Sequence, residues 1–80
     1  MKYDKDKVDD AVLALLSLTM WHDPPATLAW KGYDWATLDR LHDKGYIANP
    51  RGRCKSVIVT SAGRAKAEEL FRQLFYTPRP

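Results

Sequence analysis

The sequence predicts an α+β domain of about three to four helices with a two-stranded β-hairpin, and three observations carry that reading. A capped helical stretch runs from Asp34 to Gly45. Two short extended runs follow it on either side of a basic turn. Thr60-Ser61-Ala62-Gly63 then opens another helix. With 80 residues the chain reads as one domain, residues 1–76, followed by a loose tail at 77–80. A domain this small has a limited core, and oligomerisation is a common way of adding buried surface.

The first element is a helix from Asp4 or Asp6 to Met20, with either aspartate as N-cap and Asp9 and Asp10 near the positive end of the helix dipole. Val8, Val12, Leu15 and Leu16 form one apolar stripe. Leu13, Leu18 and Met20 widen it until the second half is apolar almost all round, a pattern that predicts burial on two sides. One side faces its own domain. The other faces a partner subunit, or the helix is the central one of a compact core.

Between Trp21 and Tyr33 two readings stand side by side. Asp23-Pro24-Pro25 offers an N-cap followed by proline in a first helical turn, and Gly32 suits the position after a helix, which gives a short helix from Pro24 to Lys31. The alternative is an irregular loop. Trp21, Trp30, Tyr33 and Trp35 crowd this region, either capping the hydrophobic core or forming a protein interface.

Asp34 begins the clearest helix. It N-caps Trp35-Ala36-Thr37, Tyr33 is placed to staple onto Leu38, and Gly45 supplies a left-handed stop. The helical period puts Trp35, Leu38, Leu41 and His42 on the core side and Ala36, Thr37, Arg40, Asp43 and Lys44 outward. Tyr46 to Asn49 reads as a strand, Pro50-Arg51-Gly52-Arg53 as a turn, and Lys55 to Thr60 as the returning strand with Val57 and Val59 toward the core. The last helix runs from Ser61 or Ala62 to Tyr76. It is expected to bury Ala67, Leu70, Phe71, Leu74 and Phe75, and Thr77-Pro78-Arg79-Pro80 cannot extend it.

Charge is distributed unevenly. Residues 1–43 carry five Lys and Arg against eight Asp and Glu, whereas residues 44–80 carry eight against two. From Lys44 to Lys66 the basic residues Lys44, Arg51, Arg53, Lys55, Arg64 and Lys66 occur without an acid among them, a block suited to a polyanion. The lone Cys54 excludes an intrachain disulfide and fits a reducing compartment, so a cytoplasmic setting is expected. The apolar run from Ala11 to Trp21 is shorter than the roughly 20 residues a bilayer needs, and no cleavable leader is read. No enzymatic activity, cofactor or metal is expected. His22-Asp23 and His42-Asp43 are two isolated dipeptides without further ligands, and no phosphate-cradling or nucleophile motif occurs. Cys54, flanked by Arg53 and Lys55, has the cationic neighbours that favour a thiolate, but surface placement is the simpler role.

The stretch Leu38-Asp39-Arg40-Leu41-His42-Asp43-Lys44-Gly45-Tyr46-Ile47, followed by Val57-Ile58-Val59-Thr60-Ser61-Ala62-Gly63-Arg64-Ala65, resembles the second half of MarR- and PadR-type winged-helix regulators. Ala29-Trp30-Lys31-Gly32-Tyr33-Asp34-Trp35 with Leu38 to His42 is more closely similar to a family of small bacterial proteins of unknown function, which brings no activity with it. The winged-helix resemblance implies a DNA-binding protein, in the fullest form a small transcriptional regulator. It implies base contacts from Thr37 and Arg40 on a recognition helix, a phosphate contact from Lys44, and a wing carrying Arg51, Arg53 and Lys55. A homodimer is expected through Leu13, Leu16 and Met20 of the first helix and Phe71, Leu74 and Phe75 of the last. Asp39 and Asp43 oppose DNA docking unless paired. The alternative is a winged helix repurposed as a protein-interaction module.

Overall fold

The computed structural model describes residues 2–78. The order is helix α1 (Lys5–Thr19), strands β1 (Trp21–Asp23) and β2 (Ala26–Trp30), helix α2 (Trp35–Asp43), strand β3 (Ser56–Val59) and helix α3 (Ser61–Phe75). The strands form one antiparallel sheet in the order β1-β2-β3. Arg79 and Pro80, the end of the expected tail, lie outside the described residues.

Asp4 is the cap that α1 uses, its side chain accepting from the Lys7 amide at 3.1 Å. The buried face is rotated from the stripe expected from the sequence. It runs through Asp9, Leu13 and Leu16 with Ala14 beside them, while Val12 is only partly buried. This face meets α3, α2 and β2. Leu13 and Leu16, expected at a subunit interface, are thereby enclosed in the chain's own core and offer a partner no surface.

The segment from Trp21 to Trp30 is a β-hairpin, which corrects both the short helix and the irregular loop. Its turn is Pro24-Pro25, joined by a cis peptide bond. Pro lacks an amide donor and suits a turn better than a ladder. The five residues behind it alternate as a half-buried strand should, with Thr27 and Ala29 buried and Leu28 and Trp30 on the opposite face. Trp21, Leu28 and Ile58 form one cross-strand row on that outer face, where Ile58 is exposed.

The expected hairpin after α2 takes a different form. Tyr46 to Asn49 is not a strand. It meets β3 through a single bridge, Ile47 to Val59, with the Ala48 amide donating to the Ile58 carbonyl at 2.9 Å. The main partner of β3 is β2, so the sheet has three strands and its third is shared between two neighbours. Val57 and Val59 do face the core as expected.

Gly45 adopts φ +83° and ends α2 in a Schellman arrangement, with the Tyr46 amide donating to Leu41 and the Gly45 amide to His42. Thr60 caps α3 by accepting from the Gly63 amide at 2.9 Å, while its hydroxyl donates to the Gly45 carbonyl at 2.7 Å. The end of α2 and the start of α3 are thus fastened by one threonine. Gly63 is required for the same junction, because a Cβ there would overlap the Tyr46 carbonyl oxygen and lie 2.9 Å from the Tyr46 Cα. At the other end of α3, Ala67 and Leu70 are buried and Phe71 packs partly against the core. Leu74 and Phe75, expected to be buried, are 51% and 45% exposed in the last turn.

Candidate nucleic-acid interface

The residues predicted to read DNA separate into two groups with different electrostatic situations. The first group lies on α2. Asp9 of α1 is buried, and its carboxylate accepts from Arg40 Nε at 2.8 and 3.0 Å and from Lys44 Nζ at 2.9 Å. Lys44 also donates to Asp6 at 3.0 Å. A buried carboxylate with two cations on it is a satisfied charge cluster, and it latches α1 to α2.

Thr37, expected to point outward, is fully buried. The cap geometry explains this, since Asp34 accepts from both the Thr37 amide at 3.1 Å and its hydroxyl at 2.9 Å, and Arg40 Nη2 donates to the same hydroxyl at 3.2 Å. Arg40 and Lys44 retain only 23% and 34% of their side-chain exposure. His42, expected on the core side, is exposed, with Nδ1 within 3.0 Å of the Ile47 carbonyl. Trp35, also expected there, is half exposed.

Asp9 raises the affinity of Lys44 for its proton, hydrogen bonding being the largest cause, with Asp6 adding to it. A cation whose folded pKa lies above the ordinary 10.5 contributes stability that is whole below that value and is lost as pH rises through the folded one. The thermal-stability gap between wild type and Lys44→Met is therefore expected to stay level up to about pH 10 and to shrink above it. Melting curves across alkaline pH measure this, and a gap that widens there would contradict the latch.

The second group lies on the turn between residues 49 and 55. Lys31, which follows β2, organises it by donating to the Pro50 and Gly52 carbonyls, each at 2.8 Å. The Asn49 side chain accepts from the Arg51 amide at 2.9 Å and tightens the same bend. Arg51 pairs with Asp39 of α2 at 2.6 Å, which holds the Asp39 carboxyl below its ordinary 3.8. Both groups are exposed, so the pair adds little stability. It does fix direction, laying the Arg51 guanidinium over the Trp35 ring at 4.7 Å from its centroid. Arg53 and Lys55 are exposed and, among the described residues, take part in no ion pair.

Trp30, Lys31, Gly32, Trp35, Gly52, Arg53, Cys54 and Lys55 line a shallow groove of about 490 Å³. Half-exposed indoles and the basic turn meet there. The sequence reading missed Trp30, Lys31 and Trp35 as members of such a site. The available signal was a basic turn and an aromatic cluster on either side of α2, which the misread hairpin had kept apart. Among the described residues no group of His, Cys, Asp and Glu is arranged to hold a metal ion. No helix there is long and apolar enough to cross a membrane.

Residues 4–77 match the family described as Domain of unknown function (DUF6429), and the chain belongs to it. It is 53% identical over 75 residues to the "Uncharacterized protein y4hR" of Sinorhizobium fredii (strain NBRC 101917 / NGR234), a span covering 94% of this chain and 97% of that one. No solved structure matches.

Proposed function

We propose that this chain is a winged-helix-like DNA-binding protein of the cytoplasm, in the fullest form a small transcriptional regulator, whose contact surface is the basic turn and not the helix α2. One observation carries the reading. The cations of α2 are spent on Asp9 and Asp6, whereas Arg53 and Lys55 stand exposed beside Arg51 and Lys31 with a single acid, Asp39, paired within that group. Such a patch attracts phosphate, with Lys and Arg displacing counterions from the nucleic-acid backbone. The order of elements supports the winged-helix comparison in its second half, where a capped helix, a basic turn, a strand and a closing helix follow one another. The segment before it is a β-hairpin where such domains carry a further helix, so α2 lacks the preceding helix that positions a reading head.

Affinity for random duplex DNA, measured across a salt series, tests the proposal. Each phosphate contact contributes about one unit to the slope of log affinity against log salt, so Arg53→Ala with Lys55→Ala should flatten it by about two, and Arg51→Ala should add at most about one more because Arg51 is already paired with Asp39. An unchanged slope, or no binding at low salt, would sink it.

A second reading, a protein-interaction and dimerisation module, is favoured by the exposed apolar groups. Leu74 and Phe75 at the end of α3 and Ile58 on the outer sheet face lie open, with Met20 and Phe71 partly covered. Light scattering at micromolar concentration is expected to give twice the chain mass if these faces pair. A monomer mass throughout would remove that reading.

A further inference from the structure

We propose that the groove between Trp30 and Trp35 takes an unpaired nucleic-acid strand, whose bases stack on the two indoles while Arg53, Lys55 and Lys31 follow its phosphates. This rests on the nucleic-acid reading above and adds the class of strand.

Two indoles lining one groove at 54% and 48% exposure are a larger apolar surface than scattered single residues, and both are held in place without a ligand. Trp30 packs on Trp21, with ring centroids 4.9 Å apart and planes tilted by 44°. Trp35 is oriented by Arg51 at 4.7 Å and Lys31 at 5.9 Å from its centroid. Preset rings lose little freedom when something stacks on them.

The groove floor is open. A Cβ at Gly32 would meet nothing within 4 Å, and one at Gly52 only the Lys31 ammonium. Two aromatic rings, Trp30 and Trp35, and three cations, Lys31, Arg53 and Lys55, share the lining. That combination is the chemistry of single-strand binding, in which every base offers a π face to an aromatic ring and the backbone follows positive charge. In a duplex those faces are already stacked on one another, and sequence is read from edges in the grooves by an inserted element. The element that would insert here, α2, has Thr37 buried and Arg40 and Lys44 held by Asp9. A flat aromatic and basic surface beside a self-neutralised helix favours unpaired bases over a duplex. Nothing in the groove selects for or against a 2′-hydroxyl, so unpaired DNA and RNA share the chemistry.

The test uses tryptophan fluorescence on the full chain with oligo(dT) and oligo(U) of about ten nucleotides and a DNA duplex of equal length, all at low salt. Wild type is expected to bind a single strand at least about tenfold more tightly than the duplex, with quenching on binding, because stacking on each ring is worth roughly 1–3 kcal/mol. The oligo(dT) and oligo(U) arms tell which backbone is preferred. Trp30→Ala and Trp35→Ala should each lower single-strand affinity by about 5- to 150-fold. Trp30→Phe and Trp35→Phe should keep most of it; where an alanine variant fails to fold, Trp30→Leu or Trp35→Leu, apolar but without a π face, takes its place and should lose affinity. A duplex bound as tightly as the single strand, or single-strand affinity unchanged when either indole is replaced by a side chain without a ring, would overturn this inference and leave the phosphate-binding proposal standing. No binding of any of the three would overturn both. A dimer that buries the two indoles in the free chain would overturn this inference alone.

Discussion

Replacing Arg40 and Lys44 together with alanine is expected to destabilise the fold by about 3 kcal/mol or more, far beyond the effect of removing surface cations. The cause is the carboxylate left behind. Asp9 is buried on α1, and the variant takes away both of the cations that hydrogen-bond to it. Breaking a buried ion cluster from one side leaves an uncompensated charge in a medium that solvates it poorly. The loss falls at the low end of the usual range for breaking a buried ion pair because Arg40 and Lys44 still meet water on their outer sides. Removing the whole cluster is a different experiment. Asp9→Leu with Arg40→Met and Lys44→Met leaves no orphaned charge and should recover most of the loss. Urea denaturation of the three proteins measures the differences. Equal stability of wild type and the double alanine variant would mean that the α1 to α2 latch contributes nothing.

Gly63→Ala is expected to have an effect of similar size by an unrelated route. Alanine is ordinarily the better helix former, and at an open helical position this change stabilises. Here the added methyl would overlap the Tyr46 carbonyl oxygen, and the atoms in its way are backbone. Relief requires the first turn of α3 to move away from the Tyr46 segment, which disturbs the Thr60 hydrogen bonds to Gly45, Tyr46 and Gly63. A loss of about 3 kcal/mol, or a melting temperature lower by roughly 15 °C, is the expected result. Calorimetry reads it directly. A variant as stable as wild type would show that the junction has slack which the packing does not suggest.

The elements with local chemical punctuation were legible in the sequence. Asp34, Gly45 and Thr60 each act through hydrogen bonds within a few residues, and the helix ends they mark fall where those bonds require. The T-x-x-G phrase that resembles winged-helix regulators has a structural explanation in the same bonds, with Thr60 as cap and Gly63 as the close-approach residue. Trp21 to Trp30 was not legible, because Asp23-Pro24-Pro25 fits a helix start as well as a turn. Only pairing with β3, distant in sequence, selects the strand.

Asp9 did leave a signal. It stands four residues before Leu13 and seven before Leu16, on one helical face with both, and a carboxylate on an apolar face implies a cationic partner. That partner, 31 residues away, could not be named from spacing. The consequence reaches the candidate site, since spacing points to Asp39 and Asp43 as the acids that could pair with Arg40 and Lys44, and the structure pairs both with Asp9 instead. Arg51 and Arg53 lie on a turn as expected, whereas Lys55, expected to begin the returning strand, sits in the same bend just ahead of β3. Their neighbours Trp30 and Trp35 come into range only through the three-stranded sheet and the Lys31 bonds to Pro50 and Gly52.

The most direct test of the division between latch and contact surface is the nucleic-acid affinity of Arg53→Ala with Lys55→Ala beside that of Arg40→Ala. All are compared at one salt concentration and at a temperature where circular dichroism shows each to be folded. The loop variant should retain wild-type stability, lose affinity, and show a salt slope lower by about two, while Arg40→Ala should melt earlier and bind as wild type does. Lost affinity in Arg40→Ala with the loop variant unaffected would return the contact to α2 and contradict the assignment.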